Sequence, residues 1–142
     1  MNDDEIEYLQ KALNNENNES LVNLTFNIIK SQKKEIINKL NLSDKISNEL
    51  LKKLDNYRYV EEIQEIQYGN YIRWININNP ENLKLTNGGI LCEIKIEDNI
   101  YLVIKNFMNR HFQINMEENL LFQKLSNQEL VILYALEYVN NE

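Results

Sequence analysis

The stretch "LKLTNGGILCEIKIEDNIYLVIKNF", residues 83–107, holds two of the chain's three glycines side by side. A glycine pair between apolar runs serves either as a phosphate-cradling loop or as a bend between strands. A phosphate loop leaves a strand and enters a helix, whose first amides bind the anion. Here the chain alternates apolar and polar residues on both sides of the pair, so it runs from strand to strand. Neither G-x-x-x-x-G-K-[ST] nor G-x-G-x-x-G occurs. Asn87-Gly88 is the pair favoured in a two-residue type I′ turn, where both positions need φ > 0. The stretch therefore predicts a hairpin. Along its second arm Ile90, Cys92, Ile94 and Ile96 share one face, and Leu91, Glu93, Lys95 and Glu97 the other.

The same period of two extends in both directions. Downstream, "DN" turns the chain into "IYLVIKN", with Ile100, Leu102 and Ile104 on one face, and "HFQINM" and "LLFQKL" follow. Upstream, "GNYIRWINI" is bounded by "NNPEN", which contains the single proline. Consecutive short strands joined by tight turns predict a five-stranded antiparallel small barrel of SH3-like or OB-like size.

Residues 1–67 read as helices instead. "DDEIEYLQKAL" places Ile6, Leu9 and Leu13 on one face, with carboxylates in the first turn where the helix dipole favours them. "SLVNLTFNIIKS" has Ser20 as N-cap and Leu21, Leu24 and Ile28 at helical spacing. "QKKEIINKL" carries Ile36, Ile37 and Leu40. A further helix carries Ile46, Leu50 and Leu54 and runs on through Val60, Ile63 and Ile66 to a stop at Gly69. At the other end Ser126 and Glu129 form a capping box, S-x-x-E, before a nearly all-apolar helix, "LVILYAL". The expected architecture is α+β: a helical region at 1–67, then a small antiparallel barrel with a C-terminal helix at 68–142, the two sharing one core or standing apart.

Composition narrows the function. At 142 residues with 43% hydrophobic and 26% charged side chains, the chain can bury a core without disulfide or metal. A single cysteine, an acidic start and no apolar run near the roughly 20 residues of a membrane span predict a soluble, intracellular protein, cytoplasmic by default. The formal net charge of −7 argues against a surface that binds nucleic acid everywhere. The abundance of Asn, Ile and Lys is what an A+T-rich genome imposes.

Chemistry-bearing constellations are few. His111 is the only histidine, too few for a zinc site of the usual ligand set, and a Ser-His-Asp or Cys-His arrangement could be offered only once. Before Phe112, on the polar face of its strand, it reads as a surface or rim residue. Cys92 falls on the apolar face of its strand, where a buried inert thiol belongs. Glu93, Glu97 and Asp98 form a solvated carboxylate group, and Ser20, Ser43 and Ser126 precede helices as caps. The expectation is a protein that is not an enzyme and binds no cofactor or metal.

Two segments point to binding. Tyr71, Arg73, Trp74, Tyr101, Arg110 and His111 collect aromatic and basic side chains in the strand half, a composition suited to gripping an extended peptide or stacking single strands. Acidic residues interleave with them, which favours a protein partner. In residues 28–58, eight basic residues oppose four acidic ones, and "IINKLNLSDKISNELLKKL" resembles a helix-turn-helix around Asn41-Leu42-Ser43. Lys33, Lys34, Lys45, Lys52, Lys53 and Arg58 are its candidate nucleic-acid contacts.

The run "YIRWIN … LTNGGILCEIKI … IYLVIKN … HFQI … LLFQKL" resembles small proteins of unassigned activity encoded by large DNA viruses, in which a "yIRwi" strand precedes a "GG" hairpin and an aromatic strand. The resemblance covers residues 68–125 and brings no catalytic residues. It implies a virus-encoded accessory or virion-associated protein in host cytoplasm or virion. The expected function is a non-catalytic protein-interaction or small assembly module, homodimerisation included. Nucleic-acid binding through residues 30–58 is the alternative.

Overall fold

In the computed structural model, residues 3–5, 7 and 25–140 are described. The first expected helix and the Ser20 cap fall mostly outside them. Two helices, α1 (Phe26–Asn38) and α2 (Asp44–Lys53), precede the strands. The strands are β1 (Tyr57–Val60), β2 (Tyr71–Asn76), β3 (Gly89–Ile96), β4 (Ile100–Lys105), β5 (His111–Asn115) and β6 (Asn119–Lys124), and helix α3 (Asn127–Asn140) closes the chain. All strands pair antiparallel in one sheet, in the order β1-β6-β2-β3-β4-β5.

The fold is α+β with a C-terminal helix, but in place of the expected five-stranded small barrel there is a six-stranded open sheet. The sheet is nonetheless rolled. Only the 3-10 turn Met116–Glu118 links β5 to β6, although β2, β3 and β4 lie between them. In a flat sheet that separation is about 19 Å, whereas the four steps from Asn115 to Asn119 reach about 14 Å at most. The sheet must curl to close the difference. Its concave face carries Val60, Ile72, Trp74, Leu91, Leu102, Ile104 and Leu121, a buried cluster that Ile66 joins. Trp74 and Phe112, from β2 and β5, bring their rings to 6.4 Å across this face.

The extra strand comes from residues read as helix. Tyr57–Val60 alternate in burial and pair with Phe122 and its neighbours on β6, so the expected helix through Val60, Ile63 and Ile66 stops at Lys53. Ile63–Glu65 is a single 3-10 turn, and Gly69 (φ +82°) sits in the loop beyond it and ends no helix.

The glycine pair is no tight hairpin bend either. Leu85 bridges Ile75, and Gly89 pairs with Ile72. Two residues of β2 therefore oppose three on the returning chain, which is a β-bulge. The turn itself lies around Pro80, where the Asn82 N–H donates to Asn79 O and the Asn78 N–H to Asn76 Oδ1. Asn87 has no positive φ, as a type I′ turn would require; Gly88 does, at +77°. A second bulge overturns the expected facing of Cys92. The β3–β4 register shifts between Leu91 and Glu93, so Leu91 and Ile94 face the core together while Cys92 is exposed.

The helices cover half of the convex face. Ile37 of α1 and Leu50 of α2, with Leu54 just beyond it, pack on Ile75, Leu120 and Phe122, which lie on β2 and β6. Thr25 and Ser43 accept the N–H groups of Ile28 and Ile46 as N-caps, and Asn41 takes the left-handed turn between the helices (φ 55°). The α3 capping box forms as expected, Ser126 N–H to Glu129 Oε1 at 3.0 Å and the reciprocal bond at 3.1 Å. The helix packs Leu133 against Ile29 and Leu125 yet leaves Tyr134, Tyr138 and Val139 exposed, whereas its nearly all-apolar sequence predicts burial on more than one side. Among the described residues, no helix is long and apolar enough to cross a membrane.

Candidate functional site

The registers line up one row of side chains across the convex face at one end of the sheet. Tyr57 of β1 stands opposite Lys124 of β6. One step beyond the Ile72–Gln123 pair, Lys124 neighbours Tyr71 of β2. Tyr71 pairs with Ile90 of β3, Ile90 with Lys105 of β4, and Lys105 with His111 of β5. The row reads Tyr-Lys-Tyr-Ile-Lys-His and contains no carboxylate, in a chain of net charge −7. The helices do not extend over its far half: Ile90 is 48% exposed, and His111 is exposed.

At the near half the row forms an open depression of about 390 Å³, lined by Tyr57, Tyr71, Arg73, Asn87, Phe107 and Lys124. The bulge fixes two of these side chains. Tyr71 donates its hydroxyl to Asn87 O at 2.9 Å, and Arg73 donates Nε to Thr86 O at 2.8 Å. Phe107 is 79% exposed but held in an ordered turn, where Asn106 Oδ1 accepts the N–H groups of Met108 and Arg110 and Asn109 takes φ 61°. Burial pushes the Tyr57 phenol up, the Arg73 guanidinium opposing and Tyr71 adding to it. Among the described residues, no carboxylate lies within ion-pair distance of Arg73 or Lys124. Two such cations among three aromatic rings can take an anionic group with an apolar neighbour.

The six residues expected to bind a partner divide between the two faces. Tyr71 and Arg73 line the depression. Tyr101 and His111 lie on the same face further out, Tyr101 donating to Asp98 Oδ1 at 3.3 Å, and Arg110 is exposed in the adjoining turn. Trp74 is on the opposite face, 8% exposed in the core. Tyr57, Phe107 and Lys124 were missed: Tyr57 sits in a segment that scans as helix, and Lys124 joins the row only through pairing. For Phe107, the signal was present as two apolar residues between Asn106 and Asn109.

Of the basic residues at 30–58, Lys34, Lys45, Lys52 and Lys53 are exposed, but Lys33 and Arg58 are buried. Lys33 donates Nζ to Leu54 O at 2.8 Å and Asp55 O at 3.2 Å, satisfying carbonyls at the end of α2. Its burial pulls the amine down from its ordinary value, with Asp55 opposing and Lys30 adding. Lys33→Glu should therefore lower stability by about 2–3 kcal/mol, since it sets a carboxylate against two carbonyl oxygens. Lys34→Glu should change it by less than about 0.5 kcal/mol. Urea melts of the two variants check the contrast.

A second, smaller pocket of about 220 Å³ lies between α1 and β1, lined by Gln32, Glu35, Ile36, Lys39, Arg58, Tyr59, Glu61 and Glu65. Burial, then the Glu61 charge, pushes the Tyr59 phenol up to about 12. Burial also raises Glu65, against the pull of Arg58, with Glu62 and Glu61 adding to the rise. Its cations are already matched, Lys39 to Glu35 at 3.9 Å and Arg58 to Glu65 at 3.5 Å, so it is a polar seam of the fold. Among the described residues, no cluster of His, Cys, Asp and Glu could hold a metal ion. No protein-family model, curated protein or solved structure matches the chain.

Proposed function

We propose that the chain is a non-catalytic protein-interaction or small assembly module, and that its convex row receives an acidic, partly apolar segment of a protein partner. The observation that carries this reading is the row Tyr57–Lys124–Tyr71–Ile90–Lys105–His111, an aromatic and basic strip free of carboxylates on an acidic chain. Arg73 and the hydrogen-bonded turn that carries Phe107 extend it. A peptide carboxylate between Arg73 and Lys124 would leave its apolar neighbours to Tyr57, Tyr71 and Phe107. Nucleic acid suits the strip less well, because Glu93 is exposed one row away on the same face and the whole chain repels phosphate at range. The resemblance to proteins of large DNA viruses suggests an accessory or virion-associated setting for such a module.

Selection of displayed random peptides on the immobilised protein tests the proposal. Enriched sequences should combine Asp or Glu with aromatic or aliphatic residues, and their affinity should fall at least about tenfold, or 1.4 kcal/mol, in an Arg73→Glu/Lys124→Glu variant. Enrichment without acidic residues, or affinity unchanged in the variant, would remove this strip from consideration.

A further inference from the structure

Every sheet edge is a template for another strand unless something blocks it, and the two edges of this sheet are treated differently. β1 is packed against α1. β5 is laid mainly against β4, and three of its five residues are exposed. Natural edges are blunted by charge, proline or a bulge. β5 reads His-Phe-Gln-Ile-Asn, carries no acidic residue, lysine, arginine or proline, and keeps an unbroken register with β4.

The direction of its free groups follows from the turn before it. The Asn106 N–H donates to Arg110 O at 2.9 Å, so that pair is hydrogen-bonded. Bonded and non-bonded pairs alternate along an antiparallel ladder. Phe112 and Ile114 therefore bond to β4, while the N–H and C=O groups of His111 and Gln113 and the N–H of Asn115 are left for a neighbour. The Asn115 C=O already accepts the Asn119 Nδ2–H at 2.7 Å. Gln113 is the centre of a symmetric pattern, polar-apolar-polar-apolar-polar.

We infer that β5 pairs antiparallel with β5 of a second copy about a two-fold axis through Gln113, making one continuous twelve-stranded sheet. In that register Gln113 meets Gln113, and His111 meets Asn115 on each side. The outward groups still free then form about four backbone hydrogen bonds, two between the Gln113 residues and one from each Asn115 N–H to His111 O of the second copy. On the concave face Phe112, now 43% exposed, stands opposite Ile114 of the second copy, an aromatic and β-branched pair of the favourable kind. No like charges face each other within the paired strands, and Arg110 at one end approaches Glu117 of the second copy. This self-complementarity singles out a second copy over an unrelated peptide. The inference stands apart from the acidic-segment reading, since β5 pairs by its edge and that reading uses the convex face.

Sedimentation equilibrium of the full chain should give twice the 17.0 kDa chain mass. Gln113→Glu and Gln113→Lys should each be monomeric, because the axis sets like charges together, and an equal mixture of the two should dimerise again. Gln113→Cys should cross-link to a covalent dimer on mild oxidation, since a hydrogen-bonded pair sets Cα atoms about 5.5 Å apart, within disulfide range. A wild type that stays monomeric at its solubility limit would overturn the inference. So would a dimer that survives both charge substitutions, or a Gln113→Cys variant that does not cross-link.

Discussion

Gly88→Ala should lower the stability of the fold by about 4–5 kcal/mol, and Gly89→Ala by about 3 kcal/mol. A Cβ at Gly88 would lie 2.1 Å from Ile72 O, and one at Gly89 2.3 Å from Lys105 O. Both obstacles are backbone atoms of paired strands, which cannot rotate away as a side chain can. Gly88 adds a second term, because its φ of +77° strains any residue with a Cβ by about 1–2 kcal/mol. Overpacking of a fixed neighbour contributes about 1–3 kcal/mol more, with backbone at the upper end. Against a typical domain stability of roughly 5–15 kcal/mol, most of the margin goes. Gly69 is the internal control: its φ is +82°, yet nothing lies within 4 Å of its added Cβ. Gly69→Ala should therefore show the conformational term alone, about 1–2 kcal/mol. Urea midpoints of the three variants measure the series. Equal losses at Gly69 and Gly88 would mean that close approach of the strands contributes little.

Arg58→Met should be the next most damaging change, at about 3–5 kcal/mol. Arg58 is 2% exposed and reaches two carboxylates, Glu65 at 3.5 Å and Glu129 at 3.7 Å, while its Nη2 donates to Glu65 O at 3.3 Å. Glu129 is fully buried and also serves the α3 capping box. Gln123, equally buried, donates Nε2 to Glu65 O and accepts the Gln67 N–H. One guanidinium thus ties β1 to the Ile63–Glu65 turn and to α3, and Gln123 of β6 joins the same polar knot through Glu65 O. Removing one member of a buried ion pair leaves the others charged and poorly solvated, which is where the large loss comes from. Glu129→Gln in the Arg58→Met background removes one of the stranded charges and should recover part of the loss. A double-mutant cycle by thermal unfolding reads that coupling; strict additivity would show that Arg58 and Glu129 do not act as a pair.

The coarse fold was legible because its signals are local. Period-two runs from Tyr71 onward mark strands, "NNPEN" marks a turn, and Ser43 and Ser126-Glu129 mark helix starts, all in windows of a few residues. β1 was hidden because Leu54, Val60, Ile63 and Ile66 fall near helical spacing, while the strand's true partner, β6, lies some sixty residues away. The glycine pair misled for a related reason. Asn-Gly favours a turn by local statistics, but Leu85 and Gly89 both pair back to β2, which makes the segment a bulged strand. Cys92 left the core because it is the extra residue of a bulge: Ile94, beyond it, faces the core as the alternation predicts, while Ile90 and Leu91, before it, exchange faces. The candidate surface suffered most, since six strands contribute one residue each to its row. Composition alone identified Tyr71, Arg73 and His111; only register adds Tyr57, Lys105 and Lys124 and sends Trp74 to the core.

The most direct test of the interaction reading is fluorescence anisotropy of a selected acidic peptide beside labelled duplex DNA, single-stranded DNA and RNA, at low and moderate salt. The wild type is compared with Arg73→Glu/Lys124→Glu and with Lys34→Glu/Lys52→Glu/Lys53→Glu, which spares the buried Lys33. The peptide should bind the wild type and the helix variant alike and fail to bind the strip variant, with nucleic acids weak throughout. Salt-sensitive binding of nucleic acid that disappears in the helix variant, with the peptide indifferent to the strip, would contradict the account and assign the function to α1 and α2.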